Sequence, residues 1–343
     1  MTTTMKRWAL SGAGRDNLKL VDAEIPTPGS NEILIKVAAA SLNYRDKLLV
    51  DSGFGLPDPL IEPVSPLSDL SGTVVAIGAG VTRFGKDDRV ISTFIPGWID
   101  GRGFGTARDP NSRYLGSPLQ GALAEYIVLH EDWAVRAPSK LNDIQSSTLS
   151  CAGLTAWTAL VERGNIRAGE IVVVLGTGGV SIFGLQIALM HGAQVIVVSG
   201  DDKKLARAKE LGAHHGINRK KEDWVEAVYR LTNDYGADHI LETIGGAHLD
   251  KSLNATAVGG RISLIGVIDG FEISGGFSPF GRKRVVVEGI QVGHRRSLEE
   301  LVAAYDLTGI IPVVDATYKM ADFVAALDHL ERGPFGKIVV EVG

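Results

Sequence analysis

One stretch, Ile171–Ser199, constrains this chain more than any other. It reads IVVVLGTGGVSIFGLQIALMHGAQVIVVS. Ile171–Leu175 is an unbroken β-branched and apolar run, the mark of a strand buried on both faces. Gly176-Thr177-Gly178-Gly179 interrupts it. Apolar residues then recur at helical spacing (Val180, Phe183, Gly184, Ile187, Ala188), Gly192 ends the helix, and Gln194–Val198 is a second buried strand. A strand, glycine loop, helix and strand within about thirty residues has the size of a parallel βαβ crossover.

Such a loop suits a pyrophosphate. Glycines let the backbone approach closely, and the helix that follows turns free N–H groups and its positive dipole end toward the anion. The dinucleotide fingerprint G-x-G-x-x-G falls on Gly176, Thr177, Gly178, Gly179, Val180 and Ser181, with serine in the third glycine's place. That glycine serves close helix–strand packing, so Ser181 asks for a small displacement. The flanking strand and helix make the match specific. The bland alternative is a glycine turn that binds nothing.

The remaining chain extends the pattern on both sides. Downstream, Asp202–Leu211, Asp223–Thr232 and Leu249–Ala257 read as helices. They alternate with strands at 216–218, 238–243 and 261–267, with Gly259-Gly260 stopping the third helix. Val285–Val292 is one more strand. Alternating strands and helices imply an α/β, doubly wound parallel sheet. Upstream, strands at Lys6–Leu10, Glu32–Ala39, Leu70–Gly80, Asp88–Ser92 and Ala122–Leu129, broken by glycine turns, suggest a small, mostly antiparallel barrel-like domain. Residues 96–121 form a long loop of the functional or mobile kind. Helices at Leu298–Thr308 and Phe323–Leu330 and a strand at Lys337–Glu341 close the chain.

Composition removes several function classes. With a net charge of −5, nothing draws the chain toward nucleic acid or a membrane surface. Cys151 is the only cysteine, so there is neither an intrachain disulfide nor a multi-cysteine zinc lobe. No apolar run has spanning length, and MTTTMKRWALSG lacks the apolar centre of a secretory signal. A cytoplasmic location is the expectation.

These residues carry a resemblance. LNYRD (42–46), SGTVVAIGAGVTRFGKDDRV (71–90), LAEYIVL (123–129), CAGLTAWTAL (151–160), the GTGGVS loop, ARAKELGA (206–213) and the closing GKIVVEV, in this order and spacing, resemble the medium-chain dehydrogenase/reductase superfamily along the whole chain. The resemblance implies a GroES-like catalytic domain from residues 1–150 and 294–343, and a Rossmann dinucleotide-binding domain from residues 151–293. The zinc-type alcohol dehydrogenases of that family hold a catalytic zinc with Cys, His-Glu and Cys. Those positions here carry Asn43, Ser68-Asp69 and Cys151. One soft ligand of three remains, so a tetrahedral zinc site is not expected. Cys151 then reads as a small buried residue. The chain is closest in pattern to the zinc-free quinone oxidoreductase and enone reductase branch, although it keeps one cysteine of the zinc branch.

An acidic residue usually ends the second strand of NAD-preferring domains. Ser199 and Gly200 stand there, with Lys204 and then Arg219 as candidates for a 2′-phosphate, so NADPH is expected over NADH. Asp201 and Asp202 count the other way, being able to swing toward the ribose. The resemblance adds Gly266, Val267, Arg295 and Lys337 on the cofactor side. Without zinc, charge developing on a carbonyl oxygen needs hydrogen-bond donors, and a conjugated acceptor needs them least strongly. Asn43 and Tyr44 are the candidate donors. Ser68 and Asp69 complete the candidate catalytic set or simply line the cleft. Arg45 and Asp46 read equally well as a structural ion pair. Trp98 and Phe104 are candidates to cover a flat substrate, or to pack on the barrel. The expected partner is a small carbonyl substrate, a quinone or enone. The rivals are an alcohol dehydrogenase or carbonyl reductase, and a cofactor-binding relative with little turnover. The 285–292 strand, at the sheet's edge in the resembling family, suggests a homodimer, unless its valines are covered by the Leu298–Thr308 helix.

Overall fold

Ile171–Leu175 is a strand whose Val172, Val173, Val174 and Leu175 are wholly buried, as its unbroken apolar run requires. In the computed structural model, which describes residues 3–103, 105–108, 110 and 113–343, this strand lies inside a six-stranded sheet. The order across the sheet is His215–Asn218, Gln194–Ser199, Ile171–Leu175, Ala237–Glu242, Thr256–Leu264 and Val286–Gly289. Every pairing is parallel. The order reverses between Ile171–Leu175 and Ala237–Glu242, the kind of point beside which ligands bind in open α/β sheets. This sheet belongs to one of two compact units, Thr155–Val292.

The other unit joins Met1–Leu154 to Gly293–Gly343. Its centre is Glu32–Ser41, a strand that pairs antiparallel with Asp69–Ile77, Tyr126–His130 and Lys337–Glu341. Asp69–Ile77 continues to Arg89–Ser92 and then Ala134–Arg136, while Val314–Lys319 runs parallel to Lys337–Glu341. The result is a mixed seven-stranded sheet, and no closed barrel forms among the described residues. The chain's last strand therefore sits directly beside one of its first. Ile33, Ile35, Val37, Leu70, Val74 and Ile338 fill the core between them.

Several local expectations change. Residues 44–52 form a helix, Tyr44–Ser52, begun by Asn43 and ended by Gly53 in the left-handed conformation. Gly259-Gly260 does not stop a helix; both lie inside the strand Thr256–Leu264, where the register with Ala237–Glu242 slips and Gly259 takes φ 80°. That strand ends at Leu264, so Gly266 and Val267 fall in the turn after it. Residues 277–283 form a helix, Phe277–Lys283, ahead of the edge strand. The edge strand is shorter than expected, Val286–Gly289.

Candidate functional site

The glycine loop of the Thr155–Val292 unit is built by backbone geometry. Gly176 has φ 78°, in the left-handed region open mainly to glycine. Gly178 has φ −76°, so its need for glycine is one of space and not of conformation. A Cβ there would meet no atom within 4 Å, which leaves an open cradle above the loop. The helix Gly179–Met190 follows, and its first N–H groups have no acceptor within the helix. Ser181 is accommodated without loss, because its hydroxyl donates to Leu175 O at 2.6 Å. The close helix–strand approach instead occurs at Gly184, where a Cβ would run into Leu241 and Val174. The loop fits the pyrophosphate of a dinucleotide.

The neighbouring loops complete this surface. Gly266 lies against the Thr243 backbone, which a Cβ would strike. Glu242 is fully buried and gathers the 243–248 turn, accepting from Ile244 N, Gly245 N, His248 Nδ1 and Ser252 Oγ at 2.8, 3.1, 2.9 and 2.5 Å. Burial opposes its charge, yet these bonds hold its carboxyl below the usual range.

At the tip of Gln194–Ser199 no carboxylate stands free for a ribose. Asp201 caps the helix Asp202–Glu210 through Lys203 N and Lys204 N at 2.8 and 3.3 Å. Asp202 accepts from Asn218 Nδ2 at 2.7 Å and pairs with Lys221 at 2.8 Å. A residue that sequence reasoning missed appears here. The Lys220 side chain lies across Gly200, its Cε 3.0 Å from where a Cβ would be. Arg219, Lys220, Lys221, Trp224, His248 and Lys251 line a pocket of about 410 Å³, with Glu222 and Asp223 also on its wall. Glu222 is paired with Arg230 and Asp223 caps the Trp224–Thr232 helix. The missing-acid signal at 199–200 was visible in sequence, but the lysine that fills the gap lies twenty positions on.

The Met1–Leu154 and Gly293–Gly343 unit holds a polar cluster. Ser41 and Asp69 face each other across two antiparallel strands, and Lys337 opens the strand on the other side. Lys337 is 3 % exposed, and its Nζ donates to Leu42 O and to Asn43 Oδ1, both at 2.6 Å. Asn43 Nδ2 donates to Asp69 Oδ2 at 3.0 Å. Asp69, fully buried, also accepts from Ser68 Oγ at 2.6 Å and Ser41 Oγ at 3.3 Å. Ser68 and Asp69, expected among reacting groups, are thus beneath the surface as supports of Asn43, which is itself half-buried. Lys337, expected on the cofactor side, is likewise committed to this cluster. A lysine heading an apolar strand was the one signal of it, since lysine is buried only when paired.

Asp46 is also fully buried; its Oδ2 accepts from Asn43 N at 2.8 Å, while Oδ1 has no hydrogen-bond partner among the described residues. Burial pushes its carboxyl up to about 6 against the opposing pull of Arg45, whose Nη1 is 3.7 Å away. Arg45 also donates to Ser117 O at 2.8 Å and packs on the Phe94 and Tyr114 rings, which is the structural role that the sequence left open. Tyr44, at the helix start, is 40 % exposed. Burial, and then Asp69, raise the Cys151 thiol far above its ordinary range, so it stays protonated.

Two further expectations move. Arg295 is bound to Asp132 at 2.5 Å and lies 3.5 Å from Glu299, an ion-pair group of its own unit. Trp98 packs edge-on against His294 and donates to Gly101 O at 3.0 Å; Phe104 lies outside the described residues. The donor set of the polar cluster does not fit zinc. Amide and hydroxyl oxygens are poor ligands, and a lysine ammonium already sits among them.

Comparison with known proteins agrees over the whole chain. Residues 29–139 match the alcohol dehydrogenase GroES-like domain and residues 179–306 the zinc-binding dehydrogenase family. A zinc-type alcohol dehydrogenase-like protein of Schizosaccharomyces pombe is 37% identical over 96% of each chain. A quinone oxidoreductase of Sus scrofa is 27% identical over 93% of this chain and 92% of its own. A Sinorhizobium meliloti 1021 crystal structure, provisionally named an alcohol dehydrogenase, is 55% identical, covers both chains completely and has a TM-score of 0.96.

Proposed function

The chain belongs to the medium-chain dehydrogenase/reductase superfamily and is an oxidoreductase, and from that premise we propose that it reduces a conjugated carbonyl, a quinone or an enone, with NADPH and without a catalytic zinc. The observation that carries this reading is the buried Lys337 ammonium bonded to Asn43 at the family's metal-ligand positions.

Bound NADPH would supply a hydride to the acceptor carbon and leave oxidised, the acceptor's electron pair moving onto its carbonyl oxygen and a proton arriving from water. The Gly176–Val180 loop and the helix after it would hold the pyrophosphate. Lys220, with Arg219 and Lys204, would meet the 2′-phosphate at the shelf left by Gly200, and Gly266 and Val267 would border the same surface. Asn43, and Tyr44 beside it, would donate to the acceptor oxygen. An enolate or hydroquinone anion is delocalised, so neutral donors suffice where a simple alkoxide calls for a Lewis acid.

The test is NADPH oxidation against a panel of quinones, enones, aldehydes and simple ketones, with metal analysis of the purified protein. Turnover of conjugated acceptors alone, without stoichiometric zinc, is expected. Tightly bound zinc with turnover of simple ketones overturns the reading.

We also infer a homodimer through the sheet edge. Val286 is 43 % exposed on the outermost strand of the six-stranded sheet, and Phe271, Ile273, Phe277 and Phe280 are exposed in the segment leading into it. Continuing that strand into a second copy would cover apolar surface and pair an open edge. Light scattering should give a dimer mass that Val286→Lys lowers; a monomer mass for the wild type overturns it.

A further inference from the structure

Asn43 is held by two groups that between them fix which way its amide faces. An ammonium has only donors and a carboxylate only acceptors. Asn43 Oδ1 lies 2.6 Å from Lys337 Nζ, and Nδ2 lies 3.0 Å from Asp69 Oδ2. Turning the amide over would set N–H against N–H and O against O. The bonds from Ser68 and Ser41 fix Asp69 in turn, and Leu42 O fixes Lys337. One Nδ2 hydrogen is used by Asp69. The second has no acceptor among the described residues, and Asn43 is half-buried where Lys337 is 3 % exposed and Asp69 and Ser68 are wholly buried.

The cation on the amide oxygen draws electron density away from the nitrogen, while the Asp69 carboxylate on the other N–H, itself 3.7 Å from Lys337 Nζ, pushes the opposite way, so what the pair supplies is a fixed direction for the remaining N–H. Resting on the reading above, we propose that Lys337 and Asp69 are positioning residues that hold Asn43 as a preorganised donor. Its second Nδ2–H meets the acceptor's carbonyl oxygen. The donor is neutral and fixed in place, which suits an acceptor whose developing charge is spread by conjugation.

The experiment compares Asn43→Ala, Lys337→Met, Lys337→Arg and the Asn43→Ala/Lys337→Met double variant. Losing one preorganised donor lowers kcat by about 100-fold, so Asn43→Ala should show that loss. Lys337→Met should lower kcat at least tenfold while the NADPH dissociation constant stays within threefold. Lys337→Arg, which keeps the charge, should recover most of the rate. The double variant should be no slower than Asn43→Ala, because the lysine acts only through the asparagine. Independent losses that multiply in the double variant overturn the proposal, as does a Lys337→Met effect confined to NADPH affinity.

A second readout does not depend on turnover or on a folded methionine variant. In wild-type protein without substrate, the Asn43 side-chain amide, identified by its absence in Asn43→Ala, should show one exchange-protected proton, the one on Asp69, and one that exchanges faster. Lys337→Arg should keep them. An amide with neither proton protected sinks the proposal. If these signals are as expected and no acceptor on the panel is turned over, the reading of function has failed and the clamp has not.

Discussion

The glycine loop and the Asn43 cluster are built on opposite plans. The loop draws its chemistry from the backbone of one short segment, Gly176–Val180. The cluster draws its chemistry from side chains 26 and 294 positions apart, Asn43 with Asp69 and Asn43 with Lys337. A backbone site tolerates changes of residue type and resists added volume. Ser181 replaces a glycine there at no cost to its hydroxyl, which bonds Leu175 O, while Gly178 keeps an open space that any side chain would enter. A side-chain site behaves in reverse. Lys337, Asn43 and Asp69 satisfy each other only as cation, amide and anion, and a change of chemical type leaves a buried group unpaired.

The largest effect should come from adding volume to the loop. Gly178→Val should raise the NADPH dissociation constant at least about 100-fold and leave the melting temperature within about 2 °C, because the local φ of −76° suits valine. Fluorescence titration decides it, and normal binding would remove the loop from the cofactor site.

Next comes a change of charge beside the cluster. The Asp46 carboxyl is raised to about 6 from 3.8. Between these values the native state binds more protons than the unfolded chain, so this group's contribution to stability falls as pH rises from about 4 to about 6 and is level above that. Asp46→Asn removes the buried charge while its amide oxygen can still accept from Asn43 N. The variant should be more stable than wild type at pH 7.5, by up to about 3 kcal/mol for a shift of that size. The gain should shrink toward pH 4, as urea unfolding at both pH values would reveal. A gain of equal size at both would mean that the carboxyl is not the source.

Lys220→Ala sharpens the comparison at the boundary between backbone and side-chain recognition. NADPH affinity should fall about tenfold, as for one lost charge-assisted contact, with NADH affinity unchanged. Equal losses for the two cofactors would place Lys220 away from the 2′-phosphate. The smallest effect belongs to Cys151→Ser. With Asn43 and Ser68 standing at the other ligand positions, activity should stay within about twofold and should not respond to added zinc. A collapse that zinc modulates would make the cysteine a ligand.

Much of the fold could be read locally. The Ile171–Leu175 run, the fingerprint and the helices between later strands announce a parallel sheet, since periodicity is a property of neighbours along the chain. Where local signals conflict, reading fails. Gly259-Gly260 looks like a helix stop because nothing in the segment reports the slipped register with Ala237–Glu242 that puts both glycines inside a strand. The helix Tyr44–Ser52 has a weak apolar face and was not apparent, although its start holds Asn43.

For the sites the division is sharper. The residues at the loop, the missing acid at 199–200 and the poor ligand types at 43 and 68 were plain in the sequence. Which partners they take was not. Lys220 reaches Gly200, Arg295 turns to Asp132, and Lys337 turns inward to Asn43 only once strands from both ends of the chain lie side by side. The sequence by itself determined the loop, because a backbone site is written in consecutive residues. Only the tertiary structure decided the cluster, because an ammonium, an amide and a carboxylate acquire their roles from distances of a few ångströms that no spacing along the chain encodes.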